Sequence, residues 1–297
     1  MSTTELQALP PSRLRRLRRP VAARTGSPWR QPTLIIGLVI AGLWILVAIF
    51  APLLEPHDPL AQDFAITQAP SGAHPFGTDD LGRDVLSRTI AAARQSLPLA
   101  VLMVVVSGTL GTALGIVAGY LRGWVDGVVM RLADLFSSFP AIVLAMVVTA
   151  SLGPSTRNAV LALVLVTWPI YARVVRSLVL SISTADYVQA YRLHGASAWR
   201  AMRKEVLPNV RGPLVVLVTI YLADALLLLA GLSFLGLGTQ PPTPEWGSMV
   251  SVGTTYFQDW WMATFPGLAI FTAALAFNLV GDGLRDVFDP QTSARRD

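Results

Sequence analysis

Side chains able to hold a metal or a nucleotide are sparse in this sequence and poorly spaced for either task. The three histidines, His57, His74 and His194, stand far apart, and none falls in the H-E-x-x-H pattern that sets two imidazoles on one helix face around zinc. There is no cysteine, so thiolate ligands and disulfides are excluded. Asp79, Asp80 and Asp84 invite a calcium reading, but the EF-hand spacing with its closing Glu is missing. A loop that cradles phosphates needs G-x4-G-K-S/T, and the one lysine, Lys204, follows Arg203. The sequence therefore predicts no metal site, no cofactor and no ATPase centre of its own: if ATP drives this protein, another chain binds it.

Asp224 is the exception among the polar residues. It lies between Leu222 and Leu226 in an otherwise uncharged stretch. A carboxylate at bilayer depth costs about 3 kcal/mol or more, so it either lines a path for solute or ions or is satisfied by a neighbour in packing or assembly. Asn278, near the end of another apolar run, poses the same choice.

Those stretches are the elements that must position everything else. The 297 residues are 53% hydrophobic and only 14% charged, with a mean hydropathy of +0.54, too apolar for a water-soluble domain of this length. Apolar runs recur at Leu34 to Leu54, Leu97 to Tyr120, Leu135 to Leu152, Ala159 to Ala172, Pro213 to Leu237 and Met262 to Val280. Each approaches the roughly 20 residues that cross hydrocarbon as helix, so the expectation is an all-α polytopic membrane protein with six transmembrane helices. The first run is too long for the core of a signal peptide, and no A-x-A site follows it. Pro140 and Pro169 are expected to interrupt their spans, freeing backbone groups beside a cavity. In the second run Ser107, Gly111, Gly115 and Gly119 recur every four residues, which lets another helix approach closely, within the chain or from another subunit.

Basic residues set the expected orientation. With six spans and both termini inside, the inner segments hold 19 of the 23 basic residues, and the outer ones only Arg83, Arg88, Arg94 and Arg157. That asymmetry predicts cytoplasmic termini in a cell's plasma membrane and makes nucleic acid an unneeded partner for the excess charge. The tail R-L-R-R-L-R-R, Arg13 to Arg19, is a topogenic flank or a ligand for anionic membrane lipid. The expected organisation is a basic tail over 1–33, a first span with an outer segment over 34–96, a core over 97–287, and a tail over 288–297.

The longest inner loop, 181–211, is polar yet patterned as helix, turn, helix. Asp186 or Thr184 can cap a first helix, Gly195 permits a bend, and Ser197 can cap a second helix. In that second helix Trp199, Met202 and Val206 share one face and Pro208 stops the run. Such a pad, with Trp199 and Met202 turned to the cytoplasm, can lie on lipid or enter a partner's groove. The segment Q-A-Y-R-L-H-G, then nine residues, then E-V-L-P resembles the E-A-A, three residues, Gly, nine residues, Ile-x-Leu-Pro loop of ABC importer permeases. Gln189 and Ala190 take its first two positions, Gly195 the glycine with Ala196 and Trp199 after it, and Leu207 and Pro208 its end. Gln189, Tyr191 and Glu205 depart from the pattern. In that family the loop docks into the ATPase subunits.

Two flanks strengthen the resemblance. H-P-F-G-T-D-D-L-G-R-D-V-L-S-R, His74 to Arg88, reads as a turn and a helix capped by Asp79 or Asp80, lying on the outer interface through Leu81, Val85, Leu86 and Ile90. G-L-S-F-L-G-L-G leads into P-P-T-P-E-W-G, and the last span ends in F-N-L-V-G-D-G-L-R-D-V-F-D-P. From about His74 to Pro290 the chain resembles the peptide and nickel branch of these permeases, in particular the C-type subunit of dipeptide and oligopeptide systems.

The resemblance implies a type I ABC importer permease fold and a bacterial cytoplasmic membrane. It also implies a second homologous permease, two ATPase subunits using ATP and magnesium, and an external substrate-binding protein that could dock on the outer loop 238–261. It favours dipeptides or short oligopeptides over glutathione, haem or nickel chelates. The rival expectation is an ion-coupled carrier that uses Asp224.

Overall fold

The computed structural model describes residues 31–185, 188, 197, 200 and 202–288. Where no water reaches the backbone, its N–H and C=O groups must pair within one segment, so each apolar run becomes a helix. These are α1 (Pro32–Leu54), α2 (Val85–Leu121), α3 (Gly123–Ser137), α4 (Ala141–Leu152), α5 (Thr156–Ser183), α6 (Leu207–Phe234), α7 (Trp246–Thr255) and α8 (Trp261–Phe288). Five of them are long and apolar enough to cross a membrane, and α3 with α4 makes a sixth crossing if that bent pair is one span. Among the described residues there is no strand, only an isolated bridge between Thr78 and Asp84.

The glycine row on α2 fixes the centre of the bundle. A Cβ on Gly115 would lie 2.5 Å from the Ala172 carbonyl oxygen, and one on Gly119 would lie 3.0 Å from the Arg176 carbonyl oxygen. One on Gly111 would meet the Trp168 carbonyl and come within 2.6 Å of Tyr171 Cβ. Each step of four on α2 meets a step of four on α5, so the two helices run parallel and in register. The row is therefore a packing seam inside this chain.

The other helices build outward from that pair. α6 runs antiparallel to α5: Val206 and Val210 pack with Val175 and Val179, and higher up the Tyr171 and Tyr221 rings lie 5.5 Å apart. α8 crosses α6 where a Cβ on Gly281 would be 2.7 Å from Ile220 Cγ1. α1 runs antiparallel to α8, with Leu34 against Gly283 and Gly37 against Leu279, and with Trp44 Nε1 donating to Thr272 Oγ1 at 3.1 Å. The two ends of the described chain thus share one end of the bundle with the 184–206 connection, called here the loop end. Residues 55–84 and α7 occupy the opposite end.

Four expectations are corrected. The run Leu135 to Leu152 is not a straight span: α3 and α4 meet at 88°, because Pro140 sits at the N-cap of α4 in an extended conformation and pushes the preceding residue out of helix. Pro169, by contrast, lies inside an unbroken α5. α2 begins at Val85, so the stretch assigned to an interfacial helix is the buried start of a 37-residue helix. Pro208 does not stop a run: a π-helical turn, Met202–Val206, leads into α6, where Pro208 occupies the first turn, a position needing no N–H partner.

Gly115→Val should force α2 and α5 apart, costing about 1–3 kcal/mol as overpacking does. The check is thermal unfolding in detergent, with Gly42→Val, whose Cβ would meet nothing within 4 Å, showing little change.

Candidate functional site

Midway along the bundle a cavity of about 300 Å³ opens between α2, α4, α5 and α6. Met103 and Val104 of α2, Ala141 of α4, and Thr167, Ile170 and Tyr171 of α5 form three walls, and Tyr221, Asp224 and Leu228 of α6 face them. Asp224 sits ten residues before Phe234, about 15 Å down the helix at 1.5 Å per residue, well within hydrocarbon depth. It is exposed, and no described residue forms an ion pair or hydrogen bond with it. The bend at Pro140 brings Ala141 to the cavity wall, and Thr167, Ile170 and Tyr171 flank Pro169. The lining carries one acid and no base, so its electrostatics favour a cation.

At the loop end α5 is tied to α3. Arg176 makes a two-pronged ion pair with Asp126, and Arg173 reaches Asp134 at 3.0 Å and the Ala133 carbonyl at 3.1 Å. Arg122 donates to Ser183 Oγ at 2.9 Å, closing α2 onto the end of α5. Met202, Leu178 and Ile182 pack around the valine cluster of α5 and α6. Met202 therefore faces its own bundle, which corrects the expectation that it lies bare on a cytoplasmic pad.

The opposite end is a buried polar clasp. Asp84, not Asp79 or Asp80, caps α2: its Oδ2 accepts from Ser87 N at 2.8 Å and from Ser87 Oγ at 2.7 Å, while Oδ1 takes His74 Nδ1 at 2.9 Å. Asp79 instead holds its own turn, accepting from Leu81 N, Arg83 N and Arg83 Nε, with Arg88 Nε 3.4 Å away. Burial, then the neighbouring Asp79, pushes the Asp80 carboxyl above its ordinary range. His57, His74 and Asp84, remote in sequence, converge so that their ligand atoms lie within 4.8 Å of one another. Both Asp84 oxygens are nevertheless committed to capping and to His74, which makes the trio a clasp first.

Glu245 completes this end and is not the exposed loop residue that a docking role would want. It is buried and caps α7, accepting from Gly247 N at 3.0 Å and Ser248 N at 2.9 Å. The adjacent Trp246 is fully buried and donates from Nε1 to the Thr89 carbonyl at 2.9 Å, while Trp261 Nε1 reaches the Thr78 carbonyl at 3.1 Å. One indole thus ties α7 to the first turns of α2, and the other ties the start of α8 to the segment that precedes α2.

Comparison with known proteins decides what such a bundle is. Residues 111–294, more than half the chain, match the family described as binding-protein-dependent transport system inner membrane component. The chain belongs to that family. It is a multi-pass permease of the bacterial inner membrane with the type I ABC importer permease fold, and residues 29–70 also match the N-terminal TM domain of oligopeptide transport permease C. A dipeptide transport system permease protein of Escherichia coli is 46% identical over 270 residues, covering 88% of this chain and 90% of that protein. A di/tripeptide transport system permease protein of Pseudomonas aeruginosa is 43% identical over 263 residues, 86% of this chain and 87% of that one. A dipeptide transport system permease protein of Alkalihalophilus pseudofirmus is 40% identical over 280 residues, covering 89% and 90%.

Of the permease residues singled out from sequence, Asp224 lines the cavity, whereas Asn278 is exposed on α8 and is not among the lining residues. Leu207 is half-buried and Pro208 exposed at the start of α6. Gln189, Ala190, Gly195, Ala196 and Trp199 lie outside the described residues. Ser197 Oγ lies 3.4 Å from Arg200 N, the geometry of the cap foreseen there, whereas Thr184 closes α5 instead of opening a helix. Tyr171, Tyr221 and Thr167 went unnoticed as cavity residues, since a polar atom on an apolar helix signals nothing until the opposite wall is known.

Burial raises the Glu245 carboxyl above its ordinary value of 4.5 against the pull of its capping amides. A raised acid favours the folded state most where it is protonated, and that contribution declines as pH climbs through the raised value. Glu245→Ala should therefore destabilise the permease by about 1–2 kcal/mol, with a larger loss near about pH 5 than near about pH 8, as read from unfolding midpoints in detergent.

Proposed function

We propose that this permease forms half of the translocation path of an ATP-driven importer for dipeptides or short oligopeptides. A second homologous permease completes the path, two ATPase subunits bind ATP and magnesium, and an external binding protein delivers the peptide. The loop end is cytoplasmic, on the weight of its arginines. The peptide assignment draws on relatives that are themselves dipeptide or di/tripeptide permeases.

The observation that carries this reading is mechanical. α5 is unbroken from Tyr171 at the cavity to Ser183, and α6 is unbroken from Leu207 to Asp224. These are levers of about 18 and about 26 Å at 1.5 Å per residue. Both end in the 184–206 connection, which carries the E-A-A-like residues, and the buried valines Val175, Val179, Val206 and Val210 clamp them together there. A push on the connection moves two cavity walls as one body. ATP binding draws the two ATPase subunits together, the connection follows, and the path opens outward. Hydrolysis resets it.

Gly195→Pro and Trp199→Glu in the connection should leave membrane insertion and subunit assembly intact while separating ATP hydrolysis from transport. In proteoliposomes holding the purified complex, ATP consumption should continue while peptide uptake is lost. Full uptake by either variant would sink the coupling role.

A further inference from the structure

We infer that Asp224 is the subsite that takes the α-ammonium group of the transported peptide, with the rings of Tyr171 and Tyr221 beside it. This inference rests on the peptide-importer reading and adds to it which end of the peptide the subunit holds.

A bare carboxylate in hydrocarbon is expensive, so a chain that keeps one there gives it a cationic partner or water. No described residue supplies the partner, and the cavity lining contains no arginine, lysine or histidine. Three kinds of cation suit such a carboxylate: a proton or metal ion, a basic side chain of the partner permease, or a substrate amine. Space separates them. A lone ion needs a few ångströms of polar cage, whereas about 300 Å³ is available here, walled by Met103, Thr167 and Leu228 as well as the tyrosines. That is an apolar chamber with a single charge at its edge, the form of a site that fixes one charged group and tolerates many side chains. Tyrosine faces add attraction for a cation, and Tyr171 and Tyr221, with ring centroids 5.5 Å apart, stand on opposite helices beside the carboxylate. A basic plug from the partner would instead meet a site matching its own width. The α-ammonium is the one cation that every unblocked peptide carries whatever its sequence, so a site for it restricts neither side-chain size nor polarity.

The test uses the whole complex with its ATPases and binding protein in proteoliposomes, with alanyl-alanine as probe. Asp224→Asn should cut uptake about tenfold, the scale of losing a charge-assisted hydrogen bond, and Asp224→Glu should restore much of it. Stimulation of ATP hydrolysis by the loaded binding protein should persist. A packing role predicts the reverse order, the isosteric Asn tolerated and the longer Glu not, and that order would overturn the inference. Failure of Asp224→Asn to co-purify with the partner permease would overturn it as well, marking an assembly contact. Because the chain has no cysteine, Asp224→Cys also gives it a single thiol, which should react with a charged methanethiosulfonate from water; no labelling would refute a site in the path. If wild-type complex imports no alanyl-alanine, the importer reading itself falls. If it does and Asp224→Asn matches it, only the ammonium subsite falls. Uptake driven by a proton gradient without ATP would replace both with an ion-coupled carrier.

Discussion

The contact on which the rest of this permease depends is the approach of α2 to α5 along Gly111, Gly115 and Gly119. Between helices in lipid there is no gain from hiding apolar surface, so association rests on close van der Waals contact and on polar groups that find each other. Removing side chains from one face of α2 lets its backbone touch the carbonyls of Trp168, Ala172 and Arg176. That one register sets the height of Tyr171, the position of Pro169 and, through the valine cluster, the start of α6. Arg122 then meets Ser183 because α2 and α5 end together.

Polar groups do the complementary work at the end away from the loop. Asp79, Arg83, Asp84 and Arg88 are all buried, and buried charges are tolerable only when paired and hydrogen-bonded. Each acid here has a task that the others cannot take over: Asp84 caps α2 while Asp79 orders its own turn and two arginines. Together these contacts fix the turn before α2 to the first turn of α2 at the end away from the loop.

The bundle was legible in the sequence because hydrocarbon leaves so little choice: an uncharged run of about 20 residues must be helix. Subtler features were hidden for identifiable reasons. Asp79, Asp80 and Asp84 are equally good caps in isolation, and only the positions of His74, Ser87 and the two arginines separate them. The bend at Pro140 is masked by apolar residues on both sides of it, whereas Pro169, equally apolar in setting, is buried inside a continuous α5. Arg176 with Asp126 and Arg173 with Asp134 are pairs of ordinary charges about 40 to 50 positions apart, with no local pattern to announce them. Asp224 was visible by its rarity alone. Its chamber required four helices to be placed first.

An exposed carboxylate at that depth constrains what can stand beside α6. On an isolated subunit the α6 face around Asp224, with Leu227 half exposed beside it, would present charge directly to lipid. Lipid cannot hydrogen-bond it, and the helix is too long for the short aspartate side chain to snorkel to either interface. The charge is tolerable only where that face meets water or a polar partner instead of lipid. The carboxylate therefore needs water or a cation on the exposed side of α6, and the chamber walled by α2, α4 and α5 is where the fold leaves room for either.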